Sequence, residues 1–451
     1  MQEKTISQLI IFDDIAKNPI IVKADALFLR FPPNQSFITS SASPADYYAI
    51  QKEMLSLIGH EEVNADYWRN YVCGVIGSSD NVFSRMSENG VFDYIKDNSK
   101  IEGLFKVDNP SERKILEVVM EEVKVIRRIF DYDFESLARA IEAETKVVTG
   151  TETITSITVS IDKPSRRQHI FEAFNQDDDW TTVKMLVKYY RTHGAGFFES
   201  FDAFTWDGEF NGVKSVDPIT MDDLIGYEHQ KKQLIMNTEF LLRNLPCNNV
   251  LLYGDSGTGK SSSIKALLNQ YKYKGLKLIA LPKERIDELS KIFEAVAGRG
   301  LKFLIFIDDL SFEENDSSYK SFKSIIEGNI NSRSSNAIIC VTSNRRNIVK
   351  EVWKDRDTTD DVHLRDNLQE KRSLSDRFGL TIGYLAPDKN EYLKIVESLA
   401  DKANIDLDKD KLYAQALTWE VRHGGRSGRT AKQFVDHLSG LIELNKELTG
   451  E

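Results

Sequence analysis

Three cysteines in 451 residues, Cys73, Cys247 and Cys340, are too few, too far apart and odd in number for a disulfide framework, and their spacing matches no zinc motif. They suit a reducing compartment, so a cytoplasmic protein is expected, with the three packed as small buried hydrophobes. Histidine is scarce too: the seven present form no H-E-x-x-H and no clustered pair, which argues against a catalytic zinc site. Long apolar runs are missing. The longest, such as FLIFI at 303–307, fall far short of the roughly 20 residues a membrane-spanning helix needs. The opening MQEKTISQLIIFDD lacks the architecture of a secretory signal. Positive charge is in deficit. With a formal net charge of −11, no broad electrostatic footprint on DNA or RNA is expected. The basic runs KYKGLK and RGLK are short and read as solvated element ends. There is no internal repeat and no low-complexity tract. What is present, 41% hydrophobic and 29% charged residues, describes a soluble globular chain of two to four domains.

The most informative stretch is GDSGTGKS, comprising Gly254, Asp255, Ser256, Gly257, Thr258, Gly259, Lys260 and Ser261. It satisfies G-x-x-x-x-G-K-[ST] without departure. Glycines let the backbone turn tightly with its N–H groups inward, and at a helix start those groups make an anion site for phosphates. Lys260 would reach the β- and γ-phosphates, and the Ser261 hydroxyl would ligate Mg²⁺. The flanks fit: NNVLLYG reads as a buried strand and SSSIKALLNQY as a helix. A plain glycine-rich turn between two elements is the competing explanation, and the strand–loop–helix context weakens it.

Along the chain, residues 1 to about 140 carry helical patterns, for example ADYYAIQKEMLSLIG and NPSERKILEVVMEEVKVIRRIFDYD, the latter with Asn109 as N-cap and Pro110 at the first helical position. TKVVTGTETITSITVSIDKP predicts one or two strands with a turn at Gly150. Gly194 to Asp217 has no clear period and is expected to be a linker. From about 218 strands alternate with helices. NNVLLYG, GLKLIALP, LKFLIFID, NAIICVTS and LTIGYLAP are nearly continuous apolar runs, as expected of strands buried on both faces. KERIDELSKIFEAVAG and YKSFKSIIEGNI read as helices between them. This predicts a three-layer α/β domain with a parallel sheet, whose ligands sit at the carboxyl ends of the strands. After Pro387 the pattern is helical throughout. The expected domains are therefore 1–217, mostly helical with a partner or regulatory role, 218–386, the α/β core, and 387–451, a helical lid.

Two further elements complete a constellation. Asp308 ends the apolar run LKFLIFIDDL and is the candidate carboxylate on the metal side. Asp309 follows and would orient or deprotonate an attacking water. Two acids capping a strand would look the same. Beyond the strand NAIICVTS, Asn344 stands where a polar side chain can face the γ-phosphate and its water, with Thr342 and Ser343 nearby; asparagine also ends strands as a turn residue.

Taken in order, these motifs resemble the AAA+ ATPases over roughly residues 218–445. The resemblance makes GDSGTGKS Walker A, IFIDDL Walker B and Asn344 sensor 1. It places an arginine finger at Arg377 in LSDRFG and the sensor 2 arginine at Arg429 in GRSGRTAKQF, with Arg422 and Arg426 close enough to take that role instead. DDLIGYEHQKKQL resembles the segment that packs on adenine, around Ile225 to Tyr227. The implied fold is a five-stranded parallel sheet in order 5-1-4-3-2 with a helical lid. The runs TSNRR, SLSDRFGL and GRSGRTAKQF bring the chain closest to a bacterial AAA+ ATP-binding family that carries a domain of unknown function.

The resemblance implies ATP and Mg²⁺ as ligands and hydrolysis to ADP and phosphate, driving a conformational change in a protein or nucleic-acid partner held by the N-terminal half. It also implies a homo-oligomer, because a finger acts on the neighbouring subunit's nucleotide. One departure matters: many members carry Asp-Glu at Walker B, whereas here the pair is Asp308-Asp309. A shorter second side chain favours slow turnover, so a nucleotide-gated loader or adaptor with negligible hydrolysis is the alternative. A small-molecule kinase fits less well, for want of an acceptor site. Arg345 and Arg346 read as solvated. The charged stretch between Asn347 and Arg372, with Trp353 and His363, is long for a connection and is expected to be partly mobile near a subunit interface or channel.

Overall fold

Helix caps and amphipathic faces build the first half of the chain, and buried strands build the second. A computed structural model describes residues 5–31, 43–56, 66–95, 109–146, 166–312, 317–327, 335–345 and 377–449. The chain divides into two compact units, one of residues 1–200 with 299–301, the other of 201–298 with 302–451. The expected strands of TKVVTGTETITSITVSIDKP, the charged stretch after Asn347, and Arg346, Trp353 and His363 lie outside the described residues.

The first unit is helical throughout its described residues. Its longest helix, Pro110–Phe130, starts where the sequence predicts: the Asn109 side chain accepts from Ser111 N–H at 3.0 Å and Pro110 takes the first position. Leu116, Val119, Val123, Ile126 and Phe130 face a core shared with Trp68, Phe83 and Tyr190. Inside it the Glu122 carboxylate is fully buried and accepts the N–H groups of Ile10, Ile11 and Phe12, at 2.7, 3.0 and 2.9 Å. That satisfies a charge that would otherwise be costly to bury.

Among its described residues the second unit holds seven strands: β1 Ala203–Trp206, β2 Phe210–Val213, β3 Val250–Gly254, β4 Leu276–Ala280, β5 Lys302–Ile307, β6 Ala337–Ser343 and β7 Leu380–Tyr384. They form one sheet in the order β2-β1-β4-β5-β6-β3-β7, with every pairing parallel except β1–β2. All six residues of β5 are buried, which is why an unbroken apolar run marks it. The expected five-stranded sheet is corrected to seven. The five strands read from sequence keep the order 5-1-4-3-2 among themselves, and β1 and β2 extend the edge beyond β4.

Those two strands occupy the stretch expected to be linker. They were hidden because each has four residues, too short to establish a period. Pairing secures them: β1 lies parallel to β4, and Leu278 N–H donates to Asp202 O at 3.0 Å. Lys277 Nζ reaches Phe201 O at 2.7 Å. The unit boundary thus stands at 200/201. The run read as one helix at 283–298 is a 3₁₀ segment, Lys283–Glu288, followed by the helix Leu289–Val296, because Arg285 leaves helical geometry at φ −114°.

Three helices, Lys389–Lys402, Lys409–Arg422 and Gly428–Thr449, form the lid. Tyr392, Val396, Ala416, Ala431 and Phe434 make its core, with Ile225 packed against them.

Candidate functional site

β3 delivers the chain to the phosphate-loop motif and the helix Lys260–Tyr271 carries it away. Two glycines in the loop are required by geometry. Gly254 sits at φ +131°, and a Cβ there would lie 2.0 Å from Tyr384 O. Gly257, at φ +76°, would bring a Cβ within 2.9 Å of Ser427 Oγ on the lid. Thr258 Oγ1 closes the turn on Asp255 O at 2.8 Å.

Lys260 is 7% exposed. Its ammonium donates to Gly254 O at 2.8 Å, Asp255 O at 2.7 Å and Asn344 Oδ1 at 3.3 Å. Burial holds its pKa below the usual lysine value, against the opposing pull of Asp255, Asp309 and Asp308. The next residue, Ser261, donates to Asp308 Oδ1 at 2.6 Å. The motif on β3 and the carboxylate after β5, 47 residues apart in sequence, therefore meet side by side.

Thr342, near the end of β6, organises the two acids. Its hydroxyl donates to Asp308 Oδ1 and accepts the backbone N–H of Asp309 at 2.8 Å. Asp309 is left-handed at φ +50°, unusual for a residue with a side chain. Asn344 Nδ2 donates to its Oδ1 at 2.8 Å. A chain of hydrogen bonds thus runs from Lys260 through Asn344 to Asp309.

These groups open into a cavity of about 490 Å³ between the α/β core and the lid. Ile225 and Tyr227 line it, as do residues of the loop from Ser256, Asp308, Asp309, Asn344 and Arg429. The Tyr227 hydroxyl donates to Leu385 O at 2.7 Å, and its ring lies 5.0 Å from that of Tyr384. Arg429 N–H donates to Gly257 O at 3.1 Å, so the lid helix begins on the phosphate loop itself. Arg422 and Arg426 do not line the cavity; Arg426 is bound to the buried Glu420 at 2.7 Å. Arg345 donates its backbone N–H to Ser343 Oγ.

Arg377 stands apart. It is exposed, three residues ahead of β7. β7 starts opposite Val250 and reaches Tyr384 opposite Gly254, so Arg377 lies at the other end of the sheet from the phosphate loop. Four strand residues alone span about 13 Å.

Asp217, Ile395, Leu399 and Lys432 also line the cavity and were not read as site residues. Spacing offered a signal for three of them: Lys432 falls three residues after Arg429, and Ile395 and Leu399 are four apart on one helix face.

The donor set suits polyphosphate with a hard cation. Ser261 Oγ and Asp308 Oδ1 present two neighbouring oxygens, which fits Mg²⁺ held by one carboxylate, waters and substrate phosphates. Among the described residues no group of three or more His, Cys, Asp or Glu side chains is disposed to bind a metal unaided. Among them, too, no helix is long and apolar enough to cross a membrane.

Comparison with known proteins finds partial similarities. A 26S proteasome regulatory subunit homolog from Methanothermobacter thermautotrophicus is 30% identical over 134 residues, 27% of this chain. The match spans 35% of that relative's length. Among solved structures, the RuvB Holliday junction branch migration motor of Thermotoga maritima is 15% identical, with a TM-score of 0.35 over 51% of this chain and 67% of that one. The FIGL-1 AAA domain in complex with ADP is 19% identical, with a TM-score of 0.34 over 50% and 74%. The phosphate loop, the paired aspartates and the helical lid are the features on which the sequence resembles the AAA+ ATPases. A family described as "Protein of unknown function (DUF815)" matches residues 199–442, more than half of the sequence, and the chain belongs to that family.

Proposed function

We propose that this protein binds ATP with Mg²⁺ in the core–lid cavity and hydrolyses it to ADP and phosphate, using the change to drive a conformational transition on a partner. The observation that carries the reading is the convergence of Lys260, Ser261, Asp308, Asp309 and Asn344, from β3, β5 and β6, on one cavity.

Backbone N–H groups of Ser256 to Lys260 would hold the phosphates, with the Lys260 ammonium neutralising charge that develops on the γ-phosphoryl group. Ser261 and Asp308 would hold Mg²⁺, which supplies charge neutralisation across the phosphate oxygens. Asp309 and Asn344 would place a water in line with the γ-phosphorus. Asp309 would take its proton as the phosphoryl group passes to the water oxygen and ADP leaves. Ile225 and Tyr227 would flank the base. Arg429 would reach the phosphates from the lid, and Arg377, remote from its own cavity, would complete the site of a neighbouring copy.

A slower, switch-like variant has one observation in its favour. Asp309 is a short acid in a left-handed backbone conformation, already engaged by Asn344. Phosphate release from the purified full chain with Mg-ATP distinguishes the two. ATPase action predicts turnover well above that of Lys260→Ala; equal rates in parent and variant would leave a nucleotide-gated binding module.

A further inference from the structure

A carboxylate inside a phosphate-binding loop works against the loop's task, because it repels the polyanion the N–H groups attract. Asp255, the second residue of the motif, is such a carboxylate. Its surroundings give it a different task. Asp255 Oδ2 accepts the backbone N–H of Ala386 at 2.7 Å. Its own N–H donates to Tyr384 O at 3.0 Å, and its carbonyl accepts Thr258 Oγ1 at 2.8 Å and Lys260 Nζ at 2.7 Å.

Ala386 sits at the joint between core and lid. β7 ends at Tyr384, and the first lid helix begins at Lys389 with Asp388 as its cap in a reciprocal box with Glu391. Only 385–388 lie between them, with Pro387 limiting backbone freedom. The joint is held from two sides: the Tyr227 hydroxyl takes Leu385 O, and Asp255 takes Ala386 N–H. The same loop meets the far end of the lid, where Arg429 N–H donates to Gly257 O. The phosphate loop therefore contacts the lid at its hinge and at the start of its last helix.

We propose that Asp255 is a positioning residue that latches the core–lid joint and thereby sets where Arg429 stands over the phosphate loop. Phosphates held in the neighbouring cavity would repel this carboxylate and pass their presence to the hinge through one hydrogen bond. This consequence rests on the ATP reading above; the latch itself does not.

The test uses the full chain with one dye on the helix Lys260–Tyr271 and another on the helix Gly428–Thr449. Single-molecule energy transfer without nucleotide should give a narrow distance distribution in the parent. It should broaden in Asp255→Ala and narrow again in Asp255→Asn, which keeps an oxygen acceptor for Ala386. A distribution in Asp255→Ala matching the parent's would overturn the latch, whether or not the protein hydrolyses ATP. With Mg-ATP, Asp255→Ala should bind nucleotide at least as tightly as the parent, having lost a repulsive charge, while turnover falls about 10-fold or more through misplacement. Adding Arg429→Ala to Asp255→Ala should then cost no more than about 2-fold, because both changes disable one unit. Fully additive losses would overturn the link to Arg429. Absent turnover in the parent would instead count against the ATPase reading and leave the distance measurement to decide the latch.

Discussion

At the scale of single residues, Thr342 shows how one hydroxyl arranges two neighbouring acids. A left-handed backbone at Asp309 costs about 1–2 kcal/mol in a residue with a side chain. The Asp309 N–H bond to Thr342 Oγ1 and the Asn344 bond to its carboxylate offset that cost. The same hydroxyl steadies Asp308 beside Ser261. Replacing Thr342 with valine keeps the shape and removes both bonds. Thr342→Val should lower kcat about 10- to 100-fold, the usual cost of losing a group that orients a metal ligand. ATP affinity should stay within a few-fold, and Thr342→Ser should recover most of the rate. Unchanged kcat would show that the acids hold themselves in place. Asn344 was readable from sequence because it stands just past an apolar strand. Thr342 was noticed only as a neighbour, since a threonine within a strand looks like any β-branched residue. Its partners on the β5 side lie more than thirty positions away.

At the scale of elements, the lid is joined to the core by specific contacts as well as by packing. Lys402 ends the first lid helix and bonds Asp223 at 2.6 Å, and Asp223 also receives Thr220 N–H and Oγ1. The Lys402 ammonium, then the Thr220 hydroxyl, hold the Asp223 carboxyl down at about 2, from a usual 3.8. A depressed carboxylate stabilises above its unfolded pKa. The lid contact should therefore be intact above pH 3.8 and be lost as pH falls toward about 2. Both side chains are partly exposed, so the pair contributes no more than about 1 kcal/mol. NMR titration should find the Asp223 carboxyl near 2 in the parent and moved toward 3.8 in Lys402→Met; an unmoved value would remove Lys402 as the cause.

The five core strands were legible because parallel strands covered on both faces are written as unbroken apolar runs. β1 and β2 were not. AFTW and FNGV gain their strand identity from pairing with each other and with β4, which no local pattern announces. The break near Arg285 was equally hidden, since 3₁₀ and α segments share much of their periodicity.

At the scale of the whole molecule, the placement of Arg377 bears on the proposed sharing of sites between copies. It lies at the opposite end of β7 from the phosphate loop, so on the proposed reading it serves a neighbour's nucleotide. The helical character of the first unit was visible in its amphipathic repeats because those repeats are its buried core. On the proposed reading a partner of this unit would be recognised by its exposed face, which periodicity does not describe. The most direct measurement is phosphate release from a mixture of two inactive variants. Lys260→Ala should bind no nucleotide yet still offer Arg377. Arg377→Ala should bind ATP and lack the finger, at a cost of about 10³–10⁵ in rate. Each alone should be near background, and mixing them should restore turnover at sites formed between unlike copies. Background activity in the mixture beside an active parent, or full activity in Arg377→Ala alone, would contradict an ATPase whose sites are shared between subunits.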